Sequence, residues 1–412
     1  MLKHTALMFI GALTGIVWTA AAVSAETVCV VLENPLECPL KNEPCTIKIG
    51  DIGFSRLADA ASIKVFAGEK EIVSQVDDID ETEGISPHDL LCFAVDIPPK
   101  GEVSYRISTS ADEVRDLKEA MPAARSENGR NWEIKCPVYG AAVRRQDGCL
   151  QKIEIYHDNR AVNMTGYNPF GVNLTLSHNR KNYCWSTYAW KGTPPLLKIS
   201  AGPVRTTIRT LYSITADTLP SYSSDKTQGA PPAPMKCAGM QAFIEQLFCF
   251  YPDGRLDIRW QITNNGKEAL QPLVRPRGWY SFGMRYDLVL PENYRYSASF
   301  RDEKGKNIAD LMKTEDGKVK YEHAAGWYDF AAESGGGIGV ALRMDNIAGV
   351  RYLPRDRKDW YLLWVWAQEK SLAPNDKLTG GLRIFYHDPN FNPRERLVPF
   401  LTPLKWRRTA GN

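Results

Sequence analysis

Spacings that bind metals or activate nucleophiles are missing from this chain. It has six histidines in 412 residues, none in an HxH or HxxxH spacing, and it has no CxxC pair. Zinc ribbons, close-spaced zinc ligands and thioredoxin-like chemistry therefore have no support. No GxSxG is present, so there is no strained elbow for a nucleophilic serine. Gly335, Gly336 and Gly337 precede neither Lys-Ser/Thr nor a helical pattern, so they are not a phosphate loop. The net charge of +3 gives no bulk attraction to nucleic acid. Beyond residue 25 no apolar run is long enough to cross a bilayer. No fixed-period repeat points to a propeller, and no long helical pattern is visible.

What the chain has is β-structure. Residues 240–251 read as one strand, Pro252-Asp253-Gly254 as a turn, and residues 255–263 as the return strand. Leu256, Ile258, Trp260 and Ile262 alternate with Arg255, Asp257, Arg259 and Gln261. Residues 203–215 follow the same pattern, with Val204, Ile208, Tyr212 and Ile214 opposite Arg205, Thr207, Arg209 and Ser213. The expectation is a large sheet with one face on a core and the other a wet, basic surface. A hydrophobic content of 43% and a charged content of 24% suit a soluble globular protein, and the length suits two or three domains.

The N-terminus reads as an export signal. Lys3 and His4 precede an apolar, small-residue stretch at 6–22, and Val23-Ser24-Ala25 fits the small-x-small cleavage rule. A membrane anchor is the alternative, but the strongly apolar run is short for a span. Residues 1–25 are thus expected to be removed and the protein to be periplasmic or secreted, with no membrane span remaining. All nine cysteines lie beyond that point, and the odd number leaves a thiol over. Cys38 with Cys45, Cys136 with Cys149 and Cys237 with Cys249 are conceivable pairs. The alternative is that several are buried free thiols.

Residues 26–108 read as a small β-module, 109–126 as a linker with a helix-compatible stretch at 111–120, and 127–412 as a large β-domain. Residues 216–236, rich in Pro, Ser and Gly, read as a long surface loop. The stretch EIVSQVDDID from Glu71, DLLCFAVDI from Asp89 and GEVSYRI from Gly101 together resemble a module at the front of secreted bacterial carbohydrate-active proteins. Glu127-Asn128, GPVR from Gly202 and YPDGR from Tyr251 are similar to the galactose mutarotase-like supersandwich, which also forms the β-domain of several polysaccharide lyases, including exo-rhamnogalacturonan lyase relatives. The resemblance implies an all-β fold: a large antiparallel β-supersandwich preceded by a small β-module. It carries no catalytic signature. Where the relatives carry DxDGDG, this chain has Asp78, Asp80, Thr82 and Gly84. Oxygen ligands at alternate positions suit Ca²⁺, but the glycine is displaced, and a solvated acidic turn is the plain alternative.

β-Elimination on a uronate needs a carboxylate neutraliser, a base and an acid. Three segments offer them. Past a strand end, His178, Arg180 and Tyr183 combine a base, a cation and a phenol, with Trp185 beside them as a sugar platform. Arg275, Arg277, Trp279, Tyr280 and Arg285 form an arginine-aromatic run suited to acidic sugars. His323, Trp327, Tyr328 and Asp329 could supply base, platform and acid. The first segment also has a plain reading as a solvated polar loop, and the second as sheet arginines paired with neighbouring carboxylates. His157 and His387, each followed by Asp, read as structural. The expected partner is an acidic polysaccharide or oligosaccharide, and the expected chemistry that of a polysaccharide lyase. A non-catalytic glycan-binding scaffold and a sugar epimerase or mutarotase are the alternatives. Cover over the basic face would favour the scaffold.

Overall fold

The structure, a computed structural model, describes residues 26–54, 63–80, 84–109, 123–125, 129–157, 160–163, 171–178, 181–186, 195–215, 241–271, 283–289, 294–301, 319–322, 325–332, 337–343, 347–354, 360–367, 371–387, 392 and 394–409. The expected signal at 1–25, the helix-compatible stretch at 111–120 and the loop at 216–236 lie outside them.

The front module holds β1 (Thr27–Glu33), β2 (Leu40–Lys48), the single turn α1 (Ile49–Ile52), β3 (Ile63–Ala67), β4 (Lys70–Ile72), β5 (Ser74–Asp77), β6 (Leu90–Ile97) and β7 (Glu102–Thr109). Next come β8 (Ala123–Arg125), β9 (Asn131–Lys135), β10 (Tyr139–Arg144), β11 (Leu150–His157) and β12 (Arg160–Asn163). The long part of the chain adds β13 (Gly171–His178), β14 (Lys181–Ser186), β15 (Leu196–Ala201), β16 (Thr206–Thr215), β17 (Gln241–Phe250), β18 (Arg255–Asn264), β19 (Gly283–Val289) and β20 (Tyr294–Arg301). It continues through β21 (Val319–Glu322), β22 (Ala325–Ala332), β23 (Gly337–Arg343), β24 (Ile347–Pro354), β25 (Trp360–Ala367), β26 (Lys377–His387), α2 (Arg394–Leu401) and β27 (Lys405–Thr409).

The all-β, antiparallel expectation holds. The front module is two sheets, β27-β1-β7-β3-β4 and β2-β6-β5. Behind it lie a five-stranded sheet β12-β11-β10-β9-β8, a six-stranded sheet β14-β13-β19-β25-β24-β21 and an eight-stranded sheet β15-β16-β17-β18-β26-β23-β22-β20. Two features differ from a reading along the chain. Ala123–Arg125, inside the stretch read as a linker, pairs with β9. The front module is closed by β27, which arrives from the far end and pairs with β1.

The central hairpin forms as its alternation predicts, β17 against β18. Leu256, Ile258, Trp260 and Ile262 are all buried on the core face. The opposite face corrects the expectation of a wet basic surface. Cross-strand register puts Thr207, Cys249, Asp257 and Arg383 in one row, and the sheet β2-β6-β5 covers that side. Arg205 is fully buried, with Nε donating to Asp77 Oδ2 at 2.8 Å and Nη1 to Tyr251 Oη at 2.9 Å. Glu43 of β2 takes one bond from Arg255 at 3.0 Å and one from Arg383 at 2.8 Å. Arg383 is also held by both oxygens of Asp257, at 2.6 and 2.9 Å. Charges this deep persist only when each has its partner. The greasy remainder of the contact joins Leu90 and Ile79 of the module to Leu247, Cys249 and Tyr251.

This network makes stability depend on acid. Burial alone would push the Asp257 carboxyl up, but Arg383, with Arg259 and Arg255 behind it, holds it below the usual carboxylate range. A depressed carboxylate contributes stability above its unfolded pKa of about 4, and the contribution fades as pH falls through the lower folded value. Asp257→Asn is expected to unfold at lower urea than wild type at pH 7, and the gap should narrow steadily below about pH 4. A gap that stays constant down to pH 2 would remove the carboxylate from the account.

The described cysteines follow the free-thiol alternative, and five of the seven are buried. Cys29, Cys38, Cys45, Cys92, Cys136, Cys149 and Cys249 are free, so neither Cys38–Cys45 nor Cys136–Cys149 forms, and Cys249 does not pair with Cys237. Cys45 belongs to the front module's apolar core. Burial pushes the Cys92 and Cys136 thiols up to about 12, which leaves them protonated and unreactive.

Candidate functional site

The five-stranded sheet rests its back on the eight-stranded one. Tyr139 stacks on Tyr386 with ring centroids 5.1 Å apart and donates to the Arg255 carbonyl at 3.1 Å. The turn between β10 and β11 reaches the same sheet, where the Tyr212 hydroxyl donates to the Asp147 carbonyl. Alternation sets which side chains do this packing. Tyr139, Ala141 and Val143 of β10 and Ile153 and Ile155 of β11 are buried. Gly140 and Ala142, with Lys152, Glu154 and Tyr156, are left on the outward face.

That face is a groove of about 440 Å³, within the size range of small-ligand sites. Its floor is Gly140 and Ala142, the small residues of the middle strand. Glu133 and Lys135 of β9 stand along one side, and Lys152 and Glu154 of β11 along the other. Register places Glu133 opposite Ala142 and Ala142 opposite Lys152, while Lys135, Gly140 and Glu154 form the next row. A bulge between Ala142 and Val143 makes Gln151 the extra residue of β11, so Gln151 and Lys152 both border the groove. Lys152 and Glu154 form an ion pair at 2.5 Å.

Tyr156 gives the groove its apolar element. It is 39% exposed, unusually open for a large ring among the described residues. Its hydroxyl lies over Gly140, where a Cβ would collide with it. The ring therefore leans from β11 across the floor, which only glycine leaves flat enough to admit it. Burial against the floor, then the Glu154 carboxylate, raises the Tyr156 pKa, so the phenol stays a neutral hydrogen-bond donor and acceptor.

Those residues singled out in the sequence that are described do not come together at one site. Arg180, Arg275, Arg277, Trp279, Tyr280 and His323 lie outside the described residues. His178 ends β13 opposite Lys181, and Tyr183 and Trp185 of β14 pair with Leu176 and Leu174. Arg285 of β19 pairs with Gly171. Backbone alternation along β13 puts positions 172, 174, 176 and 178 on one face, shared with 183 and 185, and position 285 on the other. Trp327 and Tyr328 belong to another sheet, on β22, where Trp327 packs against Ala341, Phe385, Leu397 and Phe400. Asp329 finds an imidazole the sequence did not offer it: His387 Nε2 lies 2.9 Å from Asp329 Oδ1, and both side chains are buried. Asp388, the neighbour of His387 in sequence, lies outside the described residues.

Near the edge of the front module, carboxylate oxygens of Asp78, Asp80 and Asp89 lie within 4.8 Å of one another, a group that could hold a hard cation such as Ca²⁺. Protein donors already engage Asp78 and Asp89. Lys198 pairs with Asp78, and Asp89 accepts from the amides of Ile79 at 2.9 Å and Ser86 at 2.8 Å.

Residues 32–158 match a family described as "Domain of unknown function (DUF4861)". No curated protein matches the chain. Among solved structures it is similar to a galactose mutarotase related enzyme from Lactobacillus acidophilus, at 9% identity and a TM-score of 0.42, over 63% of this chain and 98% of that one. A galactose mutarotase-like protein from Lactobacillus casei gives 11% identity and a TM-score of 0.42, over 62% and 100%. A polysaccharide lyase gives 13% identity and a TM-score of 0.32, over 64% and 34%. Likenesses with TM-scores under 0.5 establish neither ligand nor activity.

Proposed function

We propose that this protein is an exported carbohydrate-binding protein and that the groove on the five-stranded sheet is its glycan site. One observation carries the reading: an exposed aromatic ring laid over a glycine floor between two rows of hydrogen-bonding side chains. A sugar presents the complementary surfaces, an apolar C–H face for the ring and hydroxyls for Glu133, Lys135, Gln151 and Glu154. Cover over the basic face supports binding over catalysis, because Arg205, Arg255 and Arg383 are consumed in holding the module. Export rests on the n-region, apolar stretch and cleavage pattern of residues 1–25.

A second reading keeps one support. His178, Tyr183 and Trp185 share a face of β13 and β14, which suits a lyase acting on a uronic-acid glycan by β-elimination. One experiment separates the two. The full protein is run through native gels containing galactan, xyloglucan, polygalacturonate or alginate, and the ultraviolet absorbance of unsaturated uronates is followed in parallel solutions, since a lyase must accumulate product over many turnovers. Retardation with flat absorbance is the expected result. Rising absorbance would replace binding by elimination.

A further inference from the structure

The groove's charge pattern identifies the class of glycan. Its four formal charges are two acids, Glu133 and Glu154, and two bases, Lys135 and Lys152. They do not segregate. The row through Ala142 has Glu133 at one end and Lys152 at the other, and the row through Gly140 has Lys135 and Glu154. Each row therefore pairs an acid with a base across a small residue, and adjacent rows run in opposite senses. Lys152 is already committed to Glu154 at 2.5 Å. Among the described residues lining the groove none is arginine, the side chain whose fork matches a carboxylate. Arg144, next along β10, is held by Asp147 through Nε at 2.9 Å.

We infer that the groove takes a neutral, hydroxyl-rich glycan and discriminates against uronate chains, an inference that rests on the carbohydrate-binding reading above. The Lys152–Glu154 pair cancels one charge of each sign and Glu133 balances Lys135, so the groove offers a uronate carboxylate no net positive charge. A carboxylate moved onto a surface with no net counter-charge gives up its hydration without full compensation. A neutral sugar pays no such penalty. Its hydroxyls donate to Glu133 and Glu154 and accept from Lys135 and the Gln151 amide, and its C–H face covers the Tyr156 ring.

The test is affinity electrophoresis of the full protein in gels of neutral galactan, xyloglucan or galactomannan, against polygalacturonate and alginate, at low salt so that repulsion is unscreened. Retardation in at least one neutral gel should be roughly tenfold stronger than in either uronate gel. Tyr156→Ala should weaken it by roughly tenfold or more, as loss of an aromatic anchor does, while Tyr156→Phe keeps most of it. Glu133→Lys with Glu154→Lys should reverse the preference toward polygalacturonate. Urea midpoints like wild type would show that these surface variants are folded. Stronger retardation by uronates than by every neutral polymer overturns the inference and leaves carbohydrate binding standing. Unchanged retardation of Tyr156→Ala overturns the placement of the glycan in this groove. No retardation in any gel overturns the binding reading and the inference together.

Discussion

Asp77→Ala is expected to destabilise the protein by about 3–5 kcal/mol, the usual cost of leaving a buried charge without its partner. Asp77 is fully buried and takes two bonds at 2.8 Å, from Arg205 Nε and from Thr207 Oγ1. Its loss strands a guanidinium that cannot leave, since Arg205 also donates to Thr46 Oγ1 at 3.1 Å and lies under the Tyr251 ring. The damage should concentrate where the module meets the eight-stranded sheet. Urea unfolding read by tryptophan fluorescence gives the free energy, and hydrogen exchange gives the place. Amides of β5 and β16 should lose protection first. A loss under about 1 kcal/mol would mean that water reaches the pair, and would put it with surface ion pairs.

Gly148→Ala is expected to cost about 2–5 kcal/mol, from a left-handed backbone and an overpacked contact together. Gly148 has φ +64°, and a Cβ there would collide with the side chain of Thr210 and press on the Tyr212 hydroxyl. Both neighbours are buried and neither can yield freely. This turn seats the five-stranded sheet, so the substitution should also loosen the groove, seen as weaker glycan retardation at temperatures where the protein is still folded. A fully stable Gly148→Ala would show that the β10–β11 turn can move away from β16.

Alternation alone makes the hairpin legible in the sequence: β17 and β18 fall within a residue or two of the expected strands. What alternation cannot tell is what lies over the second face. An arginine every other residue reads the same whether water or another sheet covers it. The covering acids stand far away in sequence, Asp77 by 128 residues from Arg205 and Glu43 by 212 from Arg255. The groove is half visible. The run QKIEIY from Gln151 alternates charge with aliphatic and ends in an exposed tyrosine, which reads as a half-wet strand. It becomes a site only when Gly140 and Ala142 are set beside it, and that pairing depends on a bulge no propensity predicts. His387 shows the same limit, since its carboxylate partner comes from another strand, 58 residues earlier.

Pairing of β27 with β1 has a consequence for biosynthesis. Cys29 sits opposite Thr409, a separation of 380 residues. A chain emerging from the ribosome presents β1 with one hydrogen-bonding edge open until β27 has been made. Contacts this distant form slowly, and an open edge is a template for intermolecular pairing. Removing residues 405–412 should therefore leave a protein that still reaches the groove-bearing fold but associates through β1. β27 acts as a stopper as much as a support.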